Sequence, residues 1–180
     1  MTALSAALQH CIRTVPDWPA PGIQFRDITP VFANAALFRR LIEHLAQRYA
    51  DHRDLIVAGI DARGFIVGAA LAHALGSGFV PLRKQGKLPH DTLGEAYALE
   101  YDQATLEVHT DAILPGQPVI LIDDLIATGG TMLAAVSLIR RLGGQLHEVA
   151  AIIDLPDLGG STRLASAGAP PYTLTAYAGC

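Results

Sequence analysis

Cysteine is nearly missing from this chain: Cys11 and Cys180, close to opposite ends of its 180 residues, are the whole supply. That excludes a disulfide framework and reads as free thiols in a reducing cytosol. Excess positive charge is missing too. Thirteen Lys and Arg against seventeen Asp and Glu leave a formal charge of −4, which argues against wholesale binding to nucleic acid or to an acidic membrane surface. No apolar run approaches the roughly 20 residues that span a bilayer. The opening Met1-Thr2-Ala3-Leu4-Ser5 has no basic stretch ahead of an apolar one, so a signal peptide is not expected. Internal repeats and low-complexity tracts are absent. So are a Gly-x-x-x-x-Gly-Lys-Ser/Thr loop and a Gly-x-Gly-x-x-Gly opening to a first helix. None of the seven histidines stands at metal-ligand spacing from another His or Cys. The expectation is a soluble cytoplasmic protein of one domain, 1–180, with 51% hydrophobic residues to bury.

What is present in strength is one segment, Val119-Ile120-Leu121-Ile122-Asp123-Asp124-Leu125-Ile126-Ala127-Thr128-Gly129-Gly130-Thr131. It reads as a buried strand ending in two adjacent carboxylates, then a short Gly/Thr turn, then a helix over 132–142. A turn between a strand and a helix N-terminus aims several backbone N–H groups at one point, where the positive end of the helix dipole adds to them. That suits a phosphate monoester. Adjacent carboxylates repel unless a ligand lies against them, and sugar hydroxyls or a hydrated Mg2+ meet that need. A phosphorylated sugar gripped at both ends is the expected occupant. An ordinary polar turn with solvent-exposed acids is the plainer alternative.

Around this segment strands and helices alternate. Leu4, Ala7, Leu8, Cys11 and Ile12 fall at helical spacing. Pro16, Pro19, Pro21 and Gly22 then interrupt regular structure in an arm, about 16–33, expected to pack on the domain. Asn34 is placed to cap a helix with Leu37, Leu41, Ile42 and Leu45 on one face. Residues 55–60 read as a buried strand, 61–64 as a turn, 65–75 as a helix stopped by Gly76, and 78–82 as the next strand. A flexible loop without apolar period follows, about 84–96. Residues 97–101 and 105–109 alternate as a hairpin, 149–153 form another buried strand, Gly159-Gly160-Ser161 caps a brief helix, and 172–177 close the fold as a strand. This order predicts an α/β fold, a doubly wound, largely parallel sheet flanked by helices. Ligands in such sheets sit beyond the carboxyl ends of the strands, where 61–64, 83–87 and 123–131 converge.

Four motifs, in order along the chain from about 16 to 177, resemble one known family. The 119–131 segment resembles the 5-phosphoribosyl-1-pyrophosphate (PRPP) signature of type I phosphoribosyltransferases. The resemblance implies that Ala127, Thr128, Gly129, Gly130 and Thr131 cradle the 5-phosphate and that Asp123 and Asp124 take the ribose hydroxyls. Gly64-Phe65 and Arg83-Lys84-Gln85-Gly86-Lys87-Leu88-Pro89 resemble the adenine-using branch in particular. There a turn arginine and loop lysines contact pyrophosphate, which assigns Arg63, Lys84 and Lys87. Leu99-Glu100-Tyr101 resembles the motif whose glutamate lies over the base, implying Glu100 as the catalytic acid–base group and Tyr101 as a contact to the phosphosugar. Residues 21–30 resemble the base-recognition arm, implying a backbone pairing with adenine at Gln24, Arg26 beside the base, and Leu125 against the purine face. The family usually has Ser where this chain has Ala62, and often Pro where it has Gln85.

The resemblance further implies a type I phosphoribosyltransferase fold with a small hood and a flexible lid loop. The implied activity is a glycosyltransferase of purine salvage that turns adenine and PRPP into AMP and pyrophosphate. Mg2+ is implied as cofactor, held mainly through PRPP and water with no direct protein ligand, and so is a homodimer. A PRPP-binding regulator without activity is the rival of another class. It needs a DNA-binding element, and the chain offers neither an added helix-turn-helix nor basic charge.

Overall fold

The structure is a computed structural model that describes residues 2–52, 54–98 and 103–178; Glu100 and Tyr101 lie outside them. Helix α1 (Ala3–Cys11) begins where Thr2 Oγ1 accepts the Ser5 N–H at 3.1 Å, and it buries Leu4 and Leu8. The arm is more regular than its prolines suggest. Strands β1 (Arg13–Pro16) and β2 (Gln24–Asp27) pair antiparallel, and helix α2 (Thr29–Ala33) follows. Strands of four residues are too short to show a period in sequence. Helix α3 (Ala35–Tyr49) is capped as expected, Asn34 Oδ1 accepting the Leu37 N–H at 3.0 Å, and its buried stripe adds Tyr49 to the four expected residues.

Beyond it come β3 (Ile56–Ile60), α4 (Arg63–Leu75), β4 (Gly78–Lys84), β5 (Thr92–Ala98), β6 (Gln103–His109), β7 (Pro118–Ile126), α5 (Gly130–Arg141), β8 (Gln145–Asp154), α6 (Gly160–Ser166) and β9 (Pro171–Ala176). The main sheet has the order β5-β6-β4-β3-β7-β8-β9. Its β4-β3-β7-β8-β9 portion is parallel, and β6 and β5 continue it antiparallel. This is the expected largely parallel sheet with helices on both faces. One expectation changes. The back half of the loop placed at 84–96 is strand, because β5 pairs residue for residue with β6 from Thr92 opposite His109 to Ala98 opposite Gln103. Gly94 and Glu95 break its apolar alternation, which hid it.

The apolar run of β7 is buried on both faces, as a central parallel strand requires. Ile120 and Ile122 pack with Leu41, Leu45, Val67 and Leu71 of α3 and α4. Val119 and Leu121 pack with Met132, Ala135, Leu138 and Ile139 of α5. Past the acids this parity reverses, Leu125 lying with the first cluster and Ile126 with the second. The alternation therefore slips at Asp123-Asp124.

Candidate active site

The site is built on β7, which does not stop at its acids. The ladder to β8 continues with Asp123 opposite Ala151, Leu125 opposite Ile153 and Ile126 opposite Asp154. The expected strand end at the acidic pair is corrected accordingly: backbone pairing carries the strand past the carboxylates, and Asp124 is only 3% exposed. The helix likewise begins earlier than residue 132. Gly129, at φ +81°, turns the chain straight into α5, and the first helical bond runs from the Leu133 N–H to the Gly129 carbonyl at 2.9 Å. By helix geometry the N–H groups of Gly130, Thr131 and Met132 then have no carbonyl within the helix. These three residues line a cavity of about 90 Å³ together with Asp123, Leu125, Ile126 and the turn 127–129. That is the room of roughly three waters, the scale of a phosphate group.

The two acids have different surroundings. Asp124 Oδ2 accepts from Arg63 Nε at 2.5 Å, tying β7 to the first turn of α4. Burial works against the Arg63 charge, but the Asp124 carboxylate outweighs it and holds the guanidinium above its ordinary pKa. Asp123 Oδ1 accepts the Asp124 N–H at 2.8 Å. Burial, and then the Asp124 charge beside it, push the Asp123 carboxyl well above the usual carboxylate range. An approaching donor, a hydroxyl or a cation, would relieve it. The close approach of α4 depends on Gly64, where a Cβ would stand 2.8 Å from the Ile122 carbonyl and 2.9 Å from Asp123 Oδ1.

The remaining expected residues lie farther out. Lys84 and Lys87 are exposed and do not line the cavity. Their turn is held by Glu107, which accepts the Gly86 N–H at 2.9 Å. Arg83 donates to the Lys87 carbonyl at 2.9 Å and faces Asp61 at 3.3 Å. Gln24 sits in the β1–β2 ladder opposite Pro16. Arg26 donates to Thr14 Oγ1 at 2.5 Å and lies 4.4 Å from the Tyr177 ring. Phe25 between them links arm to site, its ring 5.8 Å from the Arg63 guanidinium. Sequence reading missed Glu107, and it placed 61–64 among the converging strand-end segments without picking out Asp61; both shape the basic turn. It also missed Gly160 and Arg163, which lie against the 127–129 turn. The Gly159-Gly160 pair was a signal, but only the fold shows what it packs against.

Among the described residues no group of three or more His, Cys, Asp or Glu is placed to hold a metal ion. Two carboxylates, one already bound to Arg63, fit a Mg2+ carried on substrate oxygens and water better than a protein cage. No described helix is long and apolar enough to cross a membrane.

Residues 28–163 match the phosphoribosyl transferase domain family. Among curated relatives, the adenine phosphoribosyltransferase of Acidovorax sp. (strain JS42) is 58% identical over 99% of this chain and 100% of its own length. Among solved structures, the adenine phosphoribosyltransferase of Rhodothermus marinus superposes with a TM-score of 0.90 at 48% identity, covering 97% of this chain and 98% of that one. The Saccharomyces cerevisiae enzyme, complexed with D-2,5-dideoxy-2,5-imino-altritol 1,6-bisphosphate and adenine, gives a TM-score of 0.90 at 37% identity over 97% and 99%.

Proposed function

The chain belongs to the phosphoribosyl transferase domain family, on its adenine phosphoribosyltransferase branch, and from that premise we propose that it joins adenine to PRPP, forming AMP and releasing pyrophosphate. The observation that carries the reading is the cavity shared by Asp123 and residues 127–131, which brings an acidic residue and the start of α5, with its unpaired first-turn amides, to one phosphate-sized space. PRPP lies with its 5-phosphate on Ala127 to Thr131 and its ribose hydroxyls toward Asp123 and Asp124. A hydroxyl donating to Asp123, which burial and the neighbouring Asp124 charge otherwise burden, relieves a cost the fold carries.

N9 of adenine attacks C1 of the ribose as the C1–O bond breaks, and the electron pair leaves with pyrophosphate. Charge thus builds on pyrophosphate, toward Arg63, Lys84 and Lys87. Cations brought against a leaving group on which charge develops stabilise the transition state more than the ground state. The proton lost from the base goes to Glu100, and Tyr101 contacts the phosphosugar. Both assignments rest on the motif they share with the family. Asp123 and Asp124 would hold a hydrated Mg2+ through its water, and the ion would supply further neutralisation of the pyrophosphate charge. The arm selects the base. A backbone donor and acceptor at Gln24 fit adenine's amine and ring nitrogen and mismatch a 6-oxo purine, with Arg26 beside the base and Leu125 against its face. The setting is purine salvage in the cytoplasm, by a homodimer.

Incubation with PRPP, Mg2+ and each of adenine, hypoxanthine, guanine, xanthine and orotate tests this directly. AMP from adenine alone is the expected result. A nucleotide formed preferentially from another base would replace the adenine reading, and tight PRPP binding without any nucleotide would favour a regulator. In the same assay Glu100→Ala is expected to lower turnover by about 10²–10⁴-fold while PRPP binding survives; unchanged turnover removes Glu100 from the chemistry.

A further inference from the structure

A turn that offers N–H groups to an anion must keep its carbonyl oxygens out of the anion's place, and those oxygens need partners of their own. Behind the 127–129 turn, Arg163 donates from both Nε and a terminal nitrogen to the Thr128 carbonyl, Nε at 2.9 Å. The arginine springs from a fixed base. Its own N–H bonds the Gly159 carbonyl at 3.0 Å, and Leu164 beside it is fully buried. Ser161 Oγ donates to Asp154 at the end of β8, and the Leu155 N–H bonds the Ile126 carbonyl at 3.0 Å. Contact with the turn is close on the backbone as well. A Cβ on Gly160 would collide with the Ala127 carbonyl oxygen, and one on Gly129 would stand 3.0 Å from Gly160 Cα.

We infer that Arg163 is a positioning residue for the donor's phosphate. By holding the Thr128 carbonyl outward it stops the Thr128–Gly129 peptide from turning its oxygen into the cavity. Gly129 makes the guard necessary, because a glycine at φ +81° has little steric penalty for the alternative peptide orientation. An oxygen turned inward would set a negative dipole end against the phosphate and repel it. The role is indirect, since the guanidinium touches the turn and not the sugar, and it rests on the turn being the 5-phosphate site.

The experiment compares wild type, Arg163→Lys and Arg163→Gln for ribose 5-phosphate binding by calorimetry, KM for PRPP and for adenine, kcat, and melting temperature. Arg163→Gln is expected to weaken ribose 5-phosphate about tenfold and to raise the PRPP KM alike. The adenine KM and melting temperature hold, and kcat at saturating PRPP changes less than about twofold, the pattern of lost uniform binding. Arg163→Lys, keeping the charge and a single donor, recovers part of the affinity. Wild-type affinity in Arg163→Gln overturns the inference. So does a loss of both substrates together with a lowered melting temperature, which would mean that α6 has merely come loose. Should the glutamine variant not fold, Arg163→Lys decides alone, with weakened ribose 5-phosphate binding expected and unchanged binding fatal. A wild-type protein that does not bind ribose 5-phosphate sinks the functional reading, and this inference with it.

Discussion

Toward the amino end of β8, Glu148 has a partner for each carboxylate oxygen, whereas toward the carboxyl end of the neighbouring β7, Asp123 and Asp124 crowd each other. Arg48 grips Glu148 with two bonds of 2.7 Å, and the Tyr49 hydroxyl donates a third at 2.7 Å. The Arg48 guanidinium also lies 3.7 Å from the centre of the Tyr172 ring. Burial alone would raise the Glu148 pKa, but these bonds outweigh it and hold the carboxyl below its ordinary value. At Asp123 burial and the adjacent Asp124 charge act in the same direction, upward. One end of the sheet satisfies its charge within the fold. At the other end Arg63 pairs with Asp124, while Asp123, accepting the Asp124 N–H, is left burdened, and perturbed groups of that kind cluster where ligands bind.

The comparison breaks most visibly by substitution at each end. Asp123→Asn is expected to lower kcat/KM for PRPP on the order of 10²-fold, since charged hydrogen bonds to the ribose are lost. Its melting temperature should hold or rise, because a burdened carboxylate is removed. Near-wild-type activity would take Asp123 out of the site. Glu148→Gln should do the reverse. It leaves Arg48 half-paired and costs about 1–2 kcal/mol in urea denaturation, with kcat/KM per folded molecule within about twofold of wild type. A large loss of activity without loss of stability would show that the two ends are not independent.

Titration sharpens the contrast with opposite signs. The Glu148 pKa is lowered on folding, so its contribution is complete above the ordinary value of 4.5 and is lost as pH falls through the folded value. The Asp123 pKa is raised, so the unfolded chain ionises first. Stability is therefore penalised progressively as pH rises from 3.8 toward the folded value. Unfolding free energies measured across pH should show wild type and Glu148→Gln converging in acid. Wild type and Asp123→Asn should converge in acid too, but with the variant pulling ahead as pH rises. Parallel curves would refute the respective assignment.

The sequence disclosed the two ends unequally, and for a physical reason. Asp123-Asp124 beside a Gly/Thr turn is contiguous, so strand, acids, turn and helix could be read together, and the alternation of strands and helices around them disclosed the parallel sheet. Glu148 meets Arg48 and Tyr49 across 100 and 99 residues, and no local pattern announces such a meeting. The same limit hid Arg163 behind Thr128, 35 residues away, and Glu107 on Gly86, 21 residues away. Short strands also escaped, β1 and β2 among prolines and the first half of β5 behind Gly94. Distinguishing the acids needed the fold as well. Neighbours in sequence, both lie against the start of α4, but Asp124 is the one bonded to Arg63 and Asp123 the one that lines the cavity.

A third ion pair separates closeness from worth. Arg141 donates to Glu95 at 2.5 Å and to the Gly94 carbonyl at 3.0 Å, joining the last turn of α5 to β5. By distance it equals the Arg63–Asp124 pair, yet its side chains are 44% and 32% exposed, against 43% and 5%. Water and salt compete for an open pair, and two long side chains must be ordered to make it, so such contacts contribute about 0–1 kcal/mol. Arg141→Gln should therefore shift the melting temperature by no more than a degree or two, roughly the equivalent of 0.5 kcal/mol, and raised salt should erase even that. If the variant instead lost as much stability as Glu148→Gln, burial would not be what divides the paired charges of this sheet, and the hairpin would prove to be anchored chiefly through that one arginine.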